Sequence, residues 1–213
     1  VALGEPPEHT WLEENGVRYR VPLGRGQKTG WFYDQAANRR AMLSHASAAR
    51  VLDVFAYLGA WGLAAARTGA REVVCVDSSA AALELLEESD TANVRAVRTL
   101  RDDAFNALAA LREAGEKFDL VIVDPPAFIK RRRDLPKGLA AYRKLNQMAM
   151  QLLARDAILV TCSCSYHLPQ DEPAAGRDTG VVARLDRHDA GQHGLRDRRD
   201  RRGSAPLGRR VGA

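Results

Sequence analysis

With 213 residues, 46% of them apolar, the chain can build one domain with a substantial core, and its apolar runs are far too short to cross a membrane. Three cysteines do not make a secreted disulfide framework and the N-terminus carries no signal pattern, so a reducing cytoplasm is expected. The formal charge of +5 excludes little: of the 32 Lys+Arg and 27 Asp+Glu, ten Arg and five Asp lie beyond residue 172, leaving 22 of each sign before it.

In chain order, "GVRYRVPL" (16–23) alternates like a half-buried strand, and "GRGQKTGWFYD" (24–34) supplies three glycines and then aromatics. A hairpin with a glycine-rich turn between Leu23 and Trp31 is expected, then a helix over 34–46 capped near Asp34. From Arg50 strands and helices alternate. "RVLDVF" reads as a buried strand, "GLAAARTGA" as a helix closed by Gly69, and "EVVCVD" as a second strand. "SSAAALELLEES" reads as a helix capped by Ser78 or Ser79, then "VRAVRT" as a weaker strand and "DAFNALAALREAGE" as a third helix. "FDLVIVD" is apolar on both faces, as central parallel strands are. "PKGLAAYRKLNQMAMQLLA" makes a helix with Pro136 in its first turn, and "AILVTCSCS" a fifth strand. This alternation predicts an α/β, doubly wound, mostly parallel sheet preceded by a β-hairpin.

Beyond about Glu172 the chain has no aromatic residue and almost no apolar periodicity, so disorder is expected for 173–213 and no further strand from it. Its Arg, Gly, Asp and Ala bias resembles a GC-rich gene read out of frame; an evolved basic tail is the alternative.

In a doubly wound sheet the ligand sits at the carboxyl ends of the strands. The turn "DVFAYLGAWG" has Gly59 and Gly62 for close backbone approach but lacks a full dinucleotide fingerprint. Asp77 ends the second strand, where an acid meets ribose hydroxyls or, alternatively, caps a helix. "DPPAF" (124–128) leaves its strand through two prolines, which fix an extended backbone and hold Asp124 at the rim of the cleft. Alternation along the fifth strand puts Cys162 and Cys164 on one face, so the sequence geometry does not separate them; no second C-x-x-C or His pair has ligand spacing, so no metal is expected. Cys75 reads as a buried small side chain, and Tyr142 and Leu145 as core. "KRRRD" (130–134) is a solvated charge run or a phosphate contact.

The segments "VLDVFAYLGAWG", "VVCVDSS", "DDAF" and "VIVDPPAF", in this order, resemble the Rossmann-like class I S-adenosylmethionine-dependent methyltransferases. With "GQKTGWFYDQAANR" before them and "LVTCSCSYHL" after, the resemblance narrows to the RlmI-like family of large-subunit ribosomal RNA cytosine-C5 methyltransferases, over roughly residues 15–170. It implies S-adenosyl-L-methionine as cofactor, held by Phe55, Tyr57, Gly59, Asp77, Ser78, Asp103, Ala104, Phe105 and Asp124. It implies Cys164, rather than the variable position of Cys162, as nucleophile with Asp124 as acid partner. Pro125, Pro126, Phe128, Lys130 and Arg131 would meet a 23S-type ribosomal RNA, while Gln27 to Gly30, Asp34, Gln35, Asn38 and Arg39 match a signature near the site.

By the same resemblance, 1–45 is the remnant of a linking domain with hairpin and helix, 46–172 the methyltransferase domain and 173–213 an atypical tail. The RNA-binding PUA domain that family members carry would be missing, and a homodimer stays open. Two alternatives remain: a related methyltransferase acting on guanine or a small molecule, and an inactive truncated remnant.

Overall fold

The computed structural model describes residues 7–23, 30–93, 97–164 and 181–184. Five segments form parallel strands, β3 (Arg50–Val54), β4 (Glu72–Asp77), β5 (Arg98–Arg101), β6 (Phe118–Val123) and β7 (Leu153–Thr161), and β4 and β6 end in or just before an acid, Asp77 and Asp124. They are joined by α2 (Gly62–Arg67), α3 (Ala80–Asn93), α4 (Ala104–Glu113) and α5 (Leu135–Met150). The sheet order is β5-β4-β3-β6-β7-β8, so the chain winds outward from β3 in one direction and then from β6 in the other. The carboxyl ends of β3 and β6 therefore flank the switch point, where an open α/β sheet forms its crevice.

Alternation along the strands divides the core. Val51, Val73, Cys75, Leu120 and Ile122 face α2, α3 and the hairpin, whereas Leu52, Val54, Val74, Val121 and Val123 face α4 and α5. Cys75, Tyr142 and Leu145 are fully buried, as expected. No helix among the described residues is long and apolar enough to cross a membrane.

Three expectations need correction. The hairpin pairs β1 (His9–Glu14) with β2 (Val17–Pro22), and its turn is Asn15-Gly16, not the glycine-rich stretch after Leu23. Both turn residues have positive φ, 52° and 72°, the conformation that an Asn-Gly pair adopts most readily. Residues 24–29 lie outside the described residues. The second correction concerns the tail: β8 (Val181–Arg184) pairs antiparallel with β7, so the tail supplies an edge strand that its composition did not announce. Main-chain pairing, with Ile158 opposite Arg184 and Thr161 opposite Val181, needs only four residues and no helical or aromatic signal.

Between β2 and β3 lies α1 (Ala36–Met42) with a 3-10 turn on each side, and Asp34 falls in the first of these rather than capping the helix. The hairpin docks through its edge: the Arg18 N–H donates to Asn93 Oδ1 at 3.0 Å and the Arg20 N–H to Ser89 Oγ at 2.8 Å. The side chains of α3 thus satisfy backbone groups that a bare strand edge would expose.

Candidate active site

At the switch point the loop after β3 takes an uncommon path. Phe55 and Tyr57 both have left-handed backbone, φ 66° and 49°, and Gly59 has φ 75°. A Cβ on Gly59 would stand 2.7 Å from Leu86 Cγ, so glycine is required there for close packing on α3. Asp77, at the end of β4, fixes this loop: its Oδ2 accepts from the Tyr57 N–H at 2.8 Å and its Oδ1 from the Ser79 N–H at 2.9 Å. Ser79, not Ser78, caps α3, its Oγ accepting from the Ala82 N–H. Beneath the loop, fully buried Asp53 accepts the Gly62 N–H at 2.9 Å through Oδ2, while its Oδ1 has no hydrogen-bond partner. Burial, with the charges of Asp124 and Asp77 added, raises its pKa to about 7.

The cleft above these elements encloses about 1530 Å³, more than a single small ligand fills. Of the expected site residues it is lined by Phe55, Tyr57, Asp77, Ser78, Asp103, Phe105, Asp124, Pro125, Pro126, Phe128, Lys130 and Cys164. Gly59, Ala104 and Arg131 are placed elsewhere: Gly59 shapes the loop from behind, Ala104 is buried in the α4 side of the core, and Arg131 is exposed in the basic loop. Asp103 caps α4, its Oδ1 accepting from the N–H groups of Phe105 and Asn106.

On the far side, Asp124 is held by a residue that the motifs did not single out. The indole Nε1–H of buried Trp61 donates to Asp124 Oδ2 at 3.0 Å. Burial raises the Asp124 pKa above the ordinary value, against the lowering effects of the Trp61 hydrogen bond and the Arg39 charge. Nothing in the spacing of the loop signals Trp61, since an indole at a helix start reads as core. Arg39 is itself buried in a bidentate pair with Glu14, at 2.6 and 2.8 Å, and lies 5.1 Å over the Trp31 ring. Burial alone would raise the Glu14 pKa, but Arg39 and a hydrogen bond from Trp31 outweigh it and hold the carboxylate below its usual range.

The two cysteines separate because β7 stops at Thr161, so strand alternation no longer governs residues 162–164. Cys162 is fully buried, its Sγ 3.9 Å from Gln35 Oε1, and burial pushes its thiol well up. Cys164 is exposed on the cleft, its thiol donating to the Pro125 carbonyl at 3.7 Å. Tyr142 on α5 ties the two rims together, accepting from Ser163 Oγ at 3.0 Å and from the Phe128 N–H at 3.5 Å.

The donor set suits a nucleoside cofactor. Asp77 keeps a second lone pair on each carboxylate oxygen for ribose hydroxyls, and Phe105 offers an aromatic wall beside them. Fold and cleft together define a Rossmann-like enzyme for such a cofactor. The chain belongs to the S-adenosylmethionine-dependent methyltransferase family, whose model matches residues 2–187. It is 40% identical over 174 residues to ribosomal RNA large subunit methyltransferase I of Aeromonas salmonicida, the match taking in 80% of this chain and 44% of that one. The protein of the same name from Serratia proteamaculans is 37% identical over 169 residues, covering 78% of this chain and 43% of the relative. Among solved structures, a methyltransferase complexed with SAH superposes with a TM-score of 0.71 at 26% identity, over 81% of this chain and 46% of that one. The chain spans less than half the length of these relatives.

Proposed function

We propose that the chain is the catalytic part of a cytoplasmic enzyme that methylates carbon 5 of a cytosine in large-subunit, 23S-type ribosomal RNA through a covalent adduct on Cys164. The observation that carries this reading is that the Cys164 thiol and the Asp124 carboxyl line one cleft, with Cys164 Sγ 3.7 Å from the carbonyl of the residue next to Asp124. The names of the relatives supply the substrate class.

Carbon 5 of cytosine is too weak a nucleophile to take a methyl group unaided. The Cys164 thiolate adds at carbon 6, forming an S–C6 bond, while Asp124 gives its proton to ring nitrogen 3. Electrons from the C5–C6 double bond then make carbon 5 an enamine-type nucleophile. The raised pKa of Asp124 suits a carboxyl that must carry a proton to the ring. S-adenosylmethionine, when bound, supplies an electrophilic methyl group on a sulfonium. Once carbon 5 is methylated, a base removes its hydrogen, the S–C6 bond breaks, and the nitrogen 3 proton returns to Asp124.

Asp77, Phe55, Tyr57 and Phe105 would hold the cofactor; Pro125 and Pro126 fix the backbone that presents Asp124, and Lys130 and Arg131 would meet phosphate. The test is RNA carrying 5-fluorocytosine, from which the ring cannot shed fluorine, so the S–C6 bond persists. The wild type and Cys162→Ala form a denaturation-resistant adduct and Cys164→Ala does not. Unaltered methyl transfer by Cys164→Ala would sink the covalent mechanism.

A further inference from the structure

The hairpin turns one face inward and one outward. Register pairs His9 with Pro22, Trp11 with Arg20 and Glu13 with Arg18, and these six share the face opposite buried Val17, Tyr19 and Val21. His9 and Pro22 line the cleft, so this outer face begins at the cleft mouth and runs away from it. Among the described residues the exposed large hydrophobic side chains are Trp11, Leu23, Phe32 and Tyr33, all from one end of the chain, and Leu23 and Phe32 line the cleft as well.

Trp11, 39% exposed, lies under two cations: the guanidinium carbons of Arg18 and Arg20 are 5.0 and 5.4 Å from its ring centroid. The ring therefore holds two like charges side by side, an arrangement that an anion would relieve. Arg20 has Glu88 at 3.4 Å, a half-exposed pair of small worth that phosphate can replace; no carboxylate among the described residues lies within 4.0 Å of the Arg18 guanidinium. Glu13, opposite Arg18, places an acid at the far end of the face, which limits the basic strip to its middle.

We infer that the outer face of the hairpin is a second RNA contact, in which Arg18 and Arg20, steadied by Trp11, take phosphates of the single strand flanking the nucleotide in the cleft. This rests on the RNA reading of the cleft and extends it away from the basic loop at 130–133. Charge complementarity selects the occupant: a phosphodiester strand offers anions at close spacing, and strands that deliver an unpaired base are held by basic grooves with aromatic side chains.

The test is binding of labelled single-stranded RNA by the 213-residue chain across a salt titration, with Arg18→Ala/Arg20→Ala, Arg18→Lys/Arg20→Lys and Trp11→Ala beside the wild type. Loss of two single-strand phosphate contacts lowers the slope of log K against log salt by about 1.4 and weakens binding roughly tenfold at low salt. The lysine pair keeps the slope, Trp11→Ala weakens binding in the same direction, and S-adenosylhomocysteine affinity and Tm are unchanged. If wild type binds RNA and the alanine pair matches it in slope and affinity, the hairpin contact is wrong and the RNA reading stands. If the alanine pair lowers Tm and leaves the slope intact, the face is a packing surface and the inference is overturned. If wild type shows no salt-dependent RNA binding, the RNA reading and this contact fall together.

Discussion

Trp61 and Asp124 meet across the switch point of the sheet, the indole N–H donating to the carboxylate at 3.0 Å. The bond connects the loop after β3 to the end of β6, so one side chain aims Asp124 and tempers its pKa together. Trp61→Phe keeps an aromatic side chain, though a smaller one, and removes the donor. Methyl transfer falls about fivefold to tenfold in kcat, in line with the loss of one ordinary hydrogen bond. The lowering effect of the bond goes with it, so the Asp124 pKa rises and the alkaline limb of the pH–rate profile moves upward. A variant with wild-type kcat and an unmoved limb would show that Trp61 only fills space.

Tyr142 is the corresponding link between the strand ends that carry Asp124 and Cys164. Tyr142→Phe leaves the packing of α5 in place and frees the 163 and 128 loops from a shared hydroxyl. Chemistry slows about tenfold, while calorimetry finds S-adenosylhomocysteine affinity unchanged. Equal losses in kcat and in cofactor affinity would point to general unfolding of the site instead.

Asp77 uses one oxygen for each of two backbone donors, so Asp77→Asn, with a single acceptor oxygen, must break one of them. S-adenosylhomocysteine binds about tenfold more weakly by calorimetry. Unchanged affinity would remove Asp77 from the cofactor site and leave it a loop staple.

Asp53 makes folding pH-dependent. Its folded pKa of about 7 lies above the ordinary 3.8, so the folded chain keeps a proton that the unfolded chain releases between those values. The stabilisation is full below about pH 4 and is lost as pH rises toward 7, a span worth on the order of 4 kcal/mol. Asp53→Asn cannot titrate, so urea midpoints of wild type fall relative to the variant over this range. Parallel curves would mean that Asp53 titrates normally.

The sheet and its acids were legible because buried parallel strands are written as short apolar runs, and Asp77 and Asp124 stand where those runs end. The three glycines after Leu23 are the denser turn signal in the sequence, yet the single Asn15-Gly16 pair sets the hairpin register. β8 was invisible because pairing at a sheet edge uses main chain, and 181–184 has no pattern beyond two valines. Alternation cannot rank Cys164 over Cys162, because it ends with β7 at Thr161, before either cysteine. Trp61 and Arg39 act through hydrogen bonds to residues 63 and 25 positions away, a relation that no local spacing encodes.

Left-handed backbone at Phe55 and Tyr57 is uncommon for bulky side chains and costs of order 1–3 kcal/mol at each residue. The chain's own groups hold this conformation, through the grip of Asp77 on the Tyr57 N–H. Glycine at either position would relax the backbone and leave the loop looser, so selection for a sturdier chain and selection for a well-ordered cleft loop act in opposite directions there.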